Sequence, residues 1–554
     1  MFGFWHKMKS AVFIRFNLWF APLCCLALAV LLTACDWQQK PADDKTTAPQ
    51  TQTEQPDESR HLLTRGIYAQ GFDLQPQQLR DDLQLPLIRD LYEGLVRVDK
   101  EGKLQGGAAQ SWQQQDYKIW TFHLQPDLKW SNGSALTAQD FVQSWYALAA
   151  QAENNPLSEY LRFIALENAE QVLNKAYGVE MLGIKALDEH TLQLTLSQPV
   201  PHLPQMLSHV ALFPVYQGDN NPVEQPQEGQ ENHAAVVTNG AYRLLYQHGS
   251  DLLLEKNPFY WNRNSVFFRN VSYQALHENE RAANIDVLQL PAAGSAVPEN
   301  MLRVALPSLC TYYYEFNFRH PQLKQSAVRK ALAAMISLQE INADNFSGGL
   351  NSMRSNGKFL PRSLQSSEQE EGWAPTVVEQ LLAQAGVNSG KPLRLRLSYE
   401  QQGIHPQIAE RMIRMLSQSD LIQIQADPLT RQQLLAKRAQ GDFDLIRSGW
   451  CADYPEPSAF LNILHSQSAN NKMAYQNHEL DELLQKSLQS AVSDSERLQI
   501  YQQIEKIINQ EQVVLPLFQY YRDYLIKSDL AGYAVPAVNS GIDSRDLYRK
   551  IGQQ

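Results

Sequence analysis

The chain has 554 residues, of which 44% are apolar and 19% charged, and its formal net charge is −11. This length is too great for a single compact core, and the composition is typical of a soluble globular protein with roughly two to four domains. The negative charge argues against a nucleic-acid partner, which favours a basic face.

The first 35 residues have the pattern of an export signal. Three basic residues precede an apolar run over 20–33, and Leu-Thr-Ala-Cys follows at 32–35. Those four residues are similar to a lipobox, which predicts that Cys35 becomes the lipidated first residue of the mature protein. An uncleaved membrane anchor is the alternative, although the apolar run is shorter than the roughly 20 residues that span a bilayer.

The residues after Cys35 predict a membrane-attached protein with a flexible tether. Asp36 is similar to the signal that retains enteric-type lipoproteins in the inner membrane, so the expected location is the periplasm, with a lipid anchor in that membrane. Residues 36–60 contain mostly Gln, Thr, Pro, Asp and Glu, and they have too few apolar side chains to bury a core.

The first half of the chain predicts a β-hairpin packed on a helix over 120–145. Residues 120–124 alternate like a half-buried strand, and Thr137 can cap a helix that continues to Trp145. The aromatic side chains could form a platform for a sugar or a base, but their spacing favours core packing. Another alternating strand is predicted over 191–197, and a surface loop over 217–233.

The second half predicts helices that alternate with strands, which indicates an α/β layer. A strand over 443–446 leads into a Pro-rich loop over 447–457. The other predicted features are a helix start at 327–332, capping boxes at 376–379 and 493–496, a helix stop at Gly386, a strand over 393–399 and a helix over 408–416. No internal repeat is found.

The mature body contains two cysteines, Cys310 and Cys451. Two cysteines in an exported domain are more often bridged than free, and two buried free thiols are the alternative. Asp453 lies two residues beyond Cys451, and an Asp in such a loop is often a turn residue that bonds its own backbone.

Two segments resemble the ligand-site segments of oligopeptide-binding proteins of extracellular solute-binding protein family 5. These are Leu309-Cys-Thr-Tyr-Tyr-Tyr-Glu-Phe-Asn317 and Arg447-Ser-Gly-Trp-Cys-Ala-Asp-Tyr454, and further similar segments lie at 87–96, 120–145 and 252–262. The resemblance extends from about Leu62 to the C-terminus. Members of this family serve ATP-binding-cassette importers of peptides, dipeptides or nickel.

The resemblance implies an α/β fold, namely a two-lobed type II periplasmic binding protein with an extra subdomain in the first lobe. The expected divisions are a signal peptide over 1–35, a tether over 36–60, a first-lobe core over 61–92, 198–309 and 521–554, an extra subdomain over 93–197 and a second lobe over 310–520.

The resemblance also implies a ligand site. In the family the two cysteines form a disulfide, and the Asp accepts the N-terminal ammonium of a peptide, which implies a Cys310–Cys451 bond and that role for Asp453. The residues Arg438, Arg447 and His405 match positions near the peptide carboxylate, and an ordinary ion pair with a protein acid is the alternative for each Arg. The other matching cleft positions are Trp450, Gly449, Cys451, Asn470, Tyr313, Asn239 and Gly240.

The implied function is the capture of short peptides with a free N-terminus. A monomeric, non-enzymatic protein would close around the peptide and deliver it to the permease of an ABC importer, without a cofactor or a metal. One alternative is a binder or sensor of cell-wall peptides, antimicrobial peptides, haem or metal chelates; Leu157 stands where relatives often have an aromatic residue, and 278–297 looks shortened. An exported peptidase is disfavoured because the chain has no Gly-x-Ser-x-Gly elbow and no His-Glu-x-x-His helix.

Overall fold

The computed structural model describes residues 61–218, 236–277, 284–290, 297–342, 353–365, 377–534 and 541–550. Four sequence predictions therefore fall wholly or partly outside the described residues: the export signal with Cys35, the tether, most of the loop at 217–233, and the capping box that begins at Thr376. In the ranges that are described, no helix has the length and apolar character needed to cross a membrane.

The strands of the first half are β1 (Leu62–Tyr68), β2 (Val96–Val98), β3 (Leu104–Gly106), β4 (Ala109–Gln115), β5 (Ile119–Leu124), β6 (Ile184–Asp188), β7 (Thr191–Thr195), β8 (Tyr242–His248), β9 (Asp251–Lys256), β10 (Asn270–Leu276) and β11 (Val287–Gln289). The helices of this half are α1 (Leu85–Leu91), α2 (Ala138–Ala150), α3 (Glu159–Phe163), α4 (Ala169–Leu173) and α5 (Leu203–Met206).

The strands of the second half are β12 (Met301–Phe316), β13 (Met353–Ser355), β14 (Leu393–Glu400), β15 (Ile422–Leu429), β16 (Leu445–Cys451), β17 (Val514–Lys527), β18 (Leu530–Ala531) and β19 (Tyr548–Arg549). The helices are α6 (Ser326–Ala334), α7 (Leu338–Asn342), α8 (Val378–Gln384), α9 (His405–Leu416), α10 (Arg431–Gln440), α11 (Ser458–Leu461), α12 (His478–Ser487) and α13 (Asp494–Glu511).

A separate four-stranded sheet, in the order β4-β5-β7-β6, packs with α2 around its own apolar core. The predicted strand and helix are confirmed here: β5 alternates between buried and half-buried side chains, and Thr137 and Asp140 form a capping box at the start of α2. The aromatic side chains of this region, Trp120, Phe122, Trp130, Phe141 and Trp145, are buried in that core. Their burial favours the packing interpretation over a ligand platform.

One large sheet connects the rest of the molecule, in the order β15-β14-β16-β12-β17-β11-β1-β10-β9-β8, with β13 paired to β17. The long antiparallel strands β12 and β17 lie at its centre. Met301 to Pro307 pair with Lys527 to Tyr521, and the register is then irregular until Thr311 pairs with Gln519. Irregular pairing of this kind bends a strand and increases its twist.

On one side of this pair, β14 runs parallel to both β15 and β16. The helices α9 and α10 follow β14 and β15, as expected for an α/β layer. The predicted loop over 447–457 is partly wrong, because β16 continues to Cys451. The extension arises because this segment pairs with β12 as far as the Cys310–Cys451 pair.

Cys310 and Cys451 form the disulfide that the family resemblance implies. They occupy directly opposed positions of β12 and β16, and their Cα atoms are 4.0 Å apart. Because the bond closes a sequence separation of 141 residues, it removes considerable freedom from the unfolded chain. It therefore holds the end of β16 against the central strand pair.

The segment beyond the disulfide is also held by aromatic contacts from the first half of the chain. Tyr454 is buried in the apolar core of the small sheet, and its ring stacks on His202 with centroids 5.2 Å apart and an angle of 9°. Phe163 contacts the same tyrosine ring at 6.0 Å. Burial, together with the nearby charge of Arg497, lowers the pKa of His202 to about 3, so this imidazole is neutral at physiological pH.

We expect that replacing both Cys310 and Cys451 by Ser lowers the free energy of unfolding by roughly 2–4 kcal/mol, because the long loop is no longer closed in the unfolded chain. Urea unfolding followed by tryptophan fluorescence measures this change. The oxidised parent protein should be more stable than the variant, whereas the parent treated with dithiothreitol should approach it. An unchanged urea midpoint in the variant would show that the disulfide does not stabilise the fold.

We expect that His202→Phe makes the protein less sensitive to acid. The unfolded chain binds a proton at His202 below its ordinary pKa of about 6.5, whereas the folded protein does so only near 3, so the parent loses stability as the pH falls through this range. Between pH 7 and pH 5 the parent should lose about 2 kcal/mol more than the variant.

Urea unfolding of both proteins at the two pH values measures this difference. His248→Phe, at an exposed position, is the matched control and should lose as much stability as the parent. Equal losses in the parent and in His202→Phe would contradict the assignment of a neutral, buried imidazole.

Candidate functional site

Several of the charged residues predicted for the ligand site lie at one edge of the large sheet. The parallel strands β14 and β15 end there at Glu400 and Leu429, and β16 passes the same edge towards Cys451. The helices α9 and α10 begin at this edge, so their positive N-terminal ends lie on it. Ligands of open α/β sheets bind at the carboxyl ends of such strands.

Asp453 lies just beyond β16 and has an unusual environment for a carboxylate. The residue is exposed, yet the surrounding protein displaces enough water to raise its pKa, and the negative charge of Asp82 adds to this effect. The charge of Asp453 also acts on Tyr160 in the first half of the chain. Among the described residues, none forms a hydrogen bond or an ion pair with the Asp453 side chain. A bound cation would therefore relieve an unfavourable charge.

Arg447 is held by groups of the protein itself. Its Nη1 atom lies 3.2 Å from Glu400 Oε2, and its Nη2 atom donates a hydrogen bond of 3.1 Å to the Tyr520 hydroxyl. The guanidinium also lies 4.8 Å above the centre of the Tyr312 ring. The positive charge is thus balanced by a carboxylate before any ligand binds.

His405 lies beside Arg447 and is also bound to Glu400. Burial and the charge of Arg447 lower the pKa of His405 to about 4, although the Glu400 carboxylate acts in the opposite direction. The imidazole is therefore neutral at physiological pH. Nε2 lies 2.8 Å from Glu400 Oε2, and Nδ1 shares a hydrogen bond of 3.2 Å with the Tyr312 hydroxyl, so both ring nitrogens face groups of the protein.

Arg438 belongs to a second ion pair, on the other face of the sheet. Its guanidinium donates hydrogen bonds of 2.7–3.0 Å to both carboxylate oxygens of Glu315, which is fully buried. Arg438 also donates to the backbone carbonyl of Asn470 at 3.1 Å. Because side chains alternate along β12, Glu315 and Tyr312 point to opposite faces. The structure therefore does not bring Arg438 together with Arg447 and His405.

The remaining predicted positions around the disulfide lie on or near the surface. Gly449, Cys451 and Asn470 are exposed, and Trp450 is half-buried, with its indole N–H donating to the carbonyl of Ala459 at 2.7 Å.

The neighbouring strand β14 pairs with β16 only at Leu445 and Ile446. In the described part of the chain, no strand pairs with the outer edge of β16 beyond those two residues.

Three predicted site residues have structural positions instead. Tyr313 is fully buried and packs edge-on against the Phe359 ring at 5.1 Å, so it does not line an open cleft. Asn239 uses its whole amide on the backbone of Glu93, donating to the carbonyl at 2.8 Å and accepting from the N–H at 3.1 Å. Gly240 is buried, and a Cβ atom there would lie 2.5 Å from the Leu91 backbone. The expected ligand roles of these three residues are not supported.

Sequence reasoning missed both carboxylates that balance the arginines. Glu315 lies inside the segment that resembles the family, but an acid in a buried strand gives no sign of its partner. Glu400 directly follows the predicted strand over 393–399, and only the parallel arrangement of β14 and β16 places it beside Arg447. Within the described ranges no group of three His, Cys, Asp or Glu side chains could hold a metal ion.

Known proteins similar to this chain extend over most of its length. The family of bacterial extracellular solute-binding proteins, family 5, matches residues 103–472. A binding protein of Haemophilus influenzae is 39% identical over 94% of this chain and 96% of its own length. The periplasmic oligopeptide-binding protein OppA of Salmonella typhimurium is 31% identical over 88% of this chain and 92% of its own.

Solved structures of similar proteins have the same fold. The unliganded open form of MppA, a periplasmic murein tripeptide-binding protein, is 27% identical and superposes with a TM-score of 0.80 over 88% of this chain and 97% of its own. Another structure of MppA, from Escherichia coli, gives 0.62 over 88% and 98%. Haemophilus influenzae OppA in complex with the peptide RPPGFSPFR is 27% identical and gives 0.60 over 88% and 99%. The two-lobed type II fold is thereby confirmed, and the chain belongs to the bacterial extracellular solute-binding proteins, family 5.

Proposed function

We propose that this protein is the substrate-binding component of an ABC importer and that it captures short peptides by their free N-terminus. The relatives OppA and MppA are named as binding proteins for oligopeptides and murein peptides, and this supports a peptide ligand and a non-enzymatic role. The single observation that carries the proposal is that the Asp453 carboxylate has no hydrogen-bond or ion-pair partner among the described residues, whereas Arg438 and Arg447 each contact a protein carboxylate.

The chemistry of Asp453 suits an ammonium ion. An ammonium bound to a carboxylate in a partly dehydrated site forms a charge-assisted hydrogen bond, which is about twice as strong as a neutral one. Burial and the charge of Asp82 raise the pKa of Asp453, so an ammonium ion bound there would stabilise its charged form. The N-terminus is common to all unmodified peptides, so this contact allows many sequences to bind.

The outer edge of β16 supplies a place for the peptide backbone. Residues Ser448 to Cys451 end next to Asp453 and extend past the strand β14, which pairs only with the beginning of β16. An extended peptide can add to such an edge as a further strand, because its backbone groups satisfy those of the edge. The side chains of the added strand then point to alternate faces of the sheet, so the backbone contact does not select for a particular peptide sequence.

The central strands β12 and β17 suit a hinge. They are the long connection between the two ends of the large sheet, and their register is irregular between Pro307 and Thr311. The chain superposes better on the unliganded open form of MppA than on the other MppA structure, although the sequence identity is the same. We assign this structure to an open state that closes by bending near that irregularity.

The N-terminal sequence supports a location in the periplasm, attached by lipid at Cys35 to the inner membrane, where a permease is within reach. The relatives named as periplasmic proteins favour the same compartment. The protein is proposed to act there as a monomer. Residues 36–60 would serve as the tether between the lipid and the binding lobes.

We expect that Asp453→Asn weakens the binding of a short peptide at least about tenfold, which corresponds to the loss of one hydrogen bond to a charged group. Isothermal titration with triAla to pentaAla peptides, each with a free or an acetylated N-terminus, measures the effect. Acetylation should cost the parent protein a similar factor, but it should have little effect on the variant, because both changes remove the same contact.

Asp420→Asn is the matched control, since Asp420 is an exposed acid next to the opposite end of β15. It should bind the peptides as the parent does. Equal affinity of the parent protein for free and acetylated peptides would refute the role of Asp453. Cleavage of the peptides during the titration, seen by mass spectrometry, would refute the non-enzymatic role.

A further inference from the structure

The Glu400 carboxylate contacts the side chains of two arginines and one histidine. Glu400 is the last residue of β14, and its side chain is 8% exposed. One carboxylate oxygen contacts His405 at 2.8 Å and Arg447 at 3.2 Å, and the other lies 3.5 Å from Arg431. The carboxylate therefore uses both oxygens on groups of the protein.

Glu400 contacts the side of the Arg447 guanidinium that a ligand carboxylate would otherwise bind. The Nη2 atom of Arg447 donates to the Tyr520 hydroxyl, the flat face of the guanidinium lies over the Tyr312 ring, and Nε is buried without a hydrogen-bond partner among the described residues. A carboxylate that approaches the guanidinium must therefore displace Glu400 or bind without a full ion pair. Displacement leaves this buried acid with only the neutral His405 and the long contact to the exposed Arg431, which is unfavourable.

The same balance exists at Arg438. Its partner Glu315 is completely buried and binds through both oxygens, so this pair is still harder to separate.

Arg431 interacts more weakly with Glu400 than Arg447 does, because the Arg431 side chain is 78% exposed and its contact with Glu400 is 3.5 Å long. Solvent screens an exposed cation of this kind, and an ion pair with it contributes little.

We propose that Glu400 is a specificity-determining residue that takes the place of a ligand carboxylate on Arg447, so that the cleft accepts peptides regardless of the charge at their carboxyl end. This inference rests on the proposed function and deepens it. The protein then binds peptides with an amidated or otherwise blocked C-terminus as tightly as it binds the free acids. The same holds for longer peptides whose C-terminus lies outside the cleft. Recognition depends on the N-terminal ammonium and the backbone.

Isothermal titration with triAla, tetraAla and pentaAla, each as the free acid and as the C-terminal amide, tests this inference on the purified parent protein. We expect the affinities of each pair to differ by less than about threefold in the parent, since Arg447 is already neutralised. In Glu400→Gln the carboxylate competitor is absent, and the free acid should bind at least about tenfold more tightly than the amide.

The double variant Glu400→Gln with Arg447→Gln should lose this new preference, because the freed guanidinium is no longer present. Glu410→Gln, at an exposed position of α9, is the matched control and should behave as the parent does. The comparison of acid and amide on the parent protein requires no variant, so it decides the matter even if Glu400→Gln does not fold.

A preference for the free acid of tenfold or more in the parent would overturn the inference, and so would the same discrimination in the parent and in Glu400→Gln. These outcomes differ from a failure of the proposed function. In that case the parent would bind none of the peptides, or it would bind N-acetylated peptides as tightly as free ones, and the inference would fall with the function.

Discussion

The antiparallel pair β12 and β17 is the constraint on which the site depends. Its backbone hydrogen bonds extend from Met301 to Glu315, with irregular register near Pro307, and connect the two ends of one continuous sheet. Every residue of β12 is thereby assigned to one face or the other. The pair of Arg447 with Glu400 and the pair of Arg438 with Glu315 therefore lie on opposite faces of the sheet. The disulfide at Cys310 holds the end of β16 against β12.

The pairing of the buried acids follows from the cost of burying an unpaired ion. Glu315 and Glu400 each have a guanidinium partner, and Glu93 likewise lies 2.7 Å from Arg545. Removal of one partner from such a pair is strongly unfavourable, so each of these pairs stabilises its buried acid. Asp453 departs from this pattern, and a departure of this kind at a solvent-accessible edge is typical of a binding site.

Local patterns predicted the individual elements well, whereas contacts between distant segments were not accessible from the sequence. The strand β5 and the capping boxes that begin at Thr137 and Ser493 depend on neighbouring residues, and all three are confirmed. The disulfide pairing came from the family resemblance. The partners of Arg438 and Arg447 are 123 and 47 residues away along the chain, and no local rule identifies them.

The predicted site residues that are buried show a related limit. A matching motif transfers the position of a residue in the fold, but it does not state whether the side chain faces the ligand or the core. Asn239 satisfies the Glu93 backbone with both ends of its amide, and Tyr313 faces Phe359. The direction of a side chain depends on strand register, and a shift of one residue reverses it.

The segment that carries Asp453 is fixed from two sides, and this has a consequence for binding. The disulfide holds Cys451 to β12, and the Tyr454 ring is buried against His202 in the core of the small sheet. Asp453 lies between these two anchors, so its backbone loses little additional freedom when a ligand binds. Association then does not have to include the ordering of a mobile loop, which otherwise weakens binding. In the role proposed for it, a carboxylate held in this way would orient peptides of many sequences, because its position is fixed by the fold and does not depend on contacts with the peptide side chains.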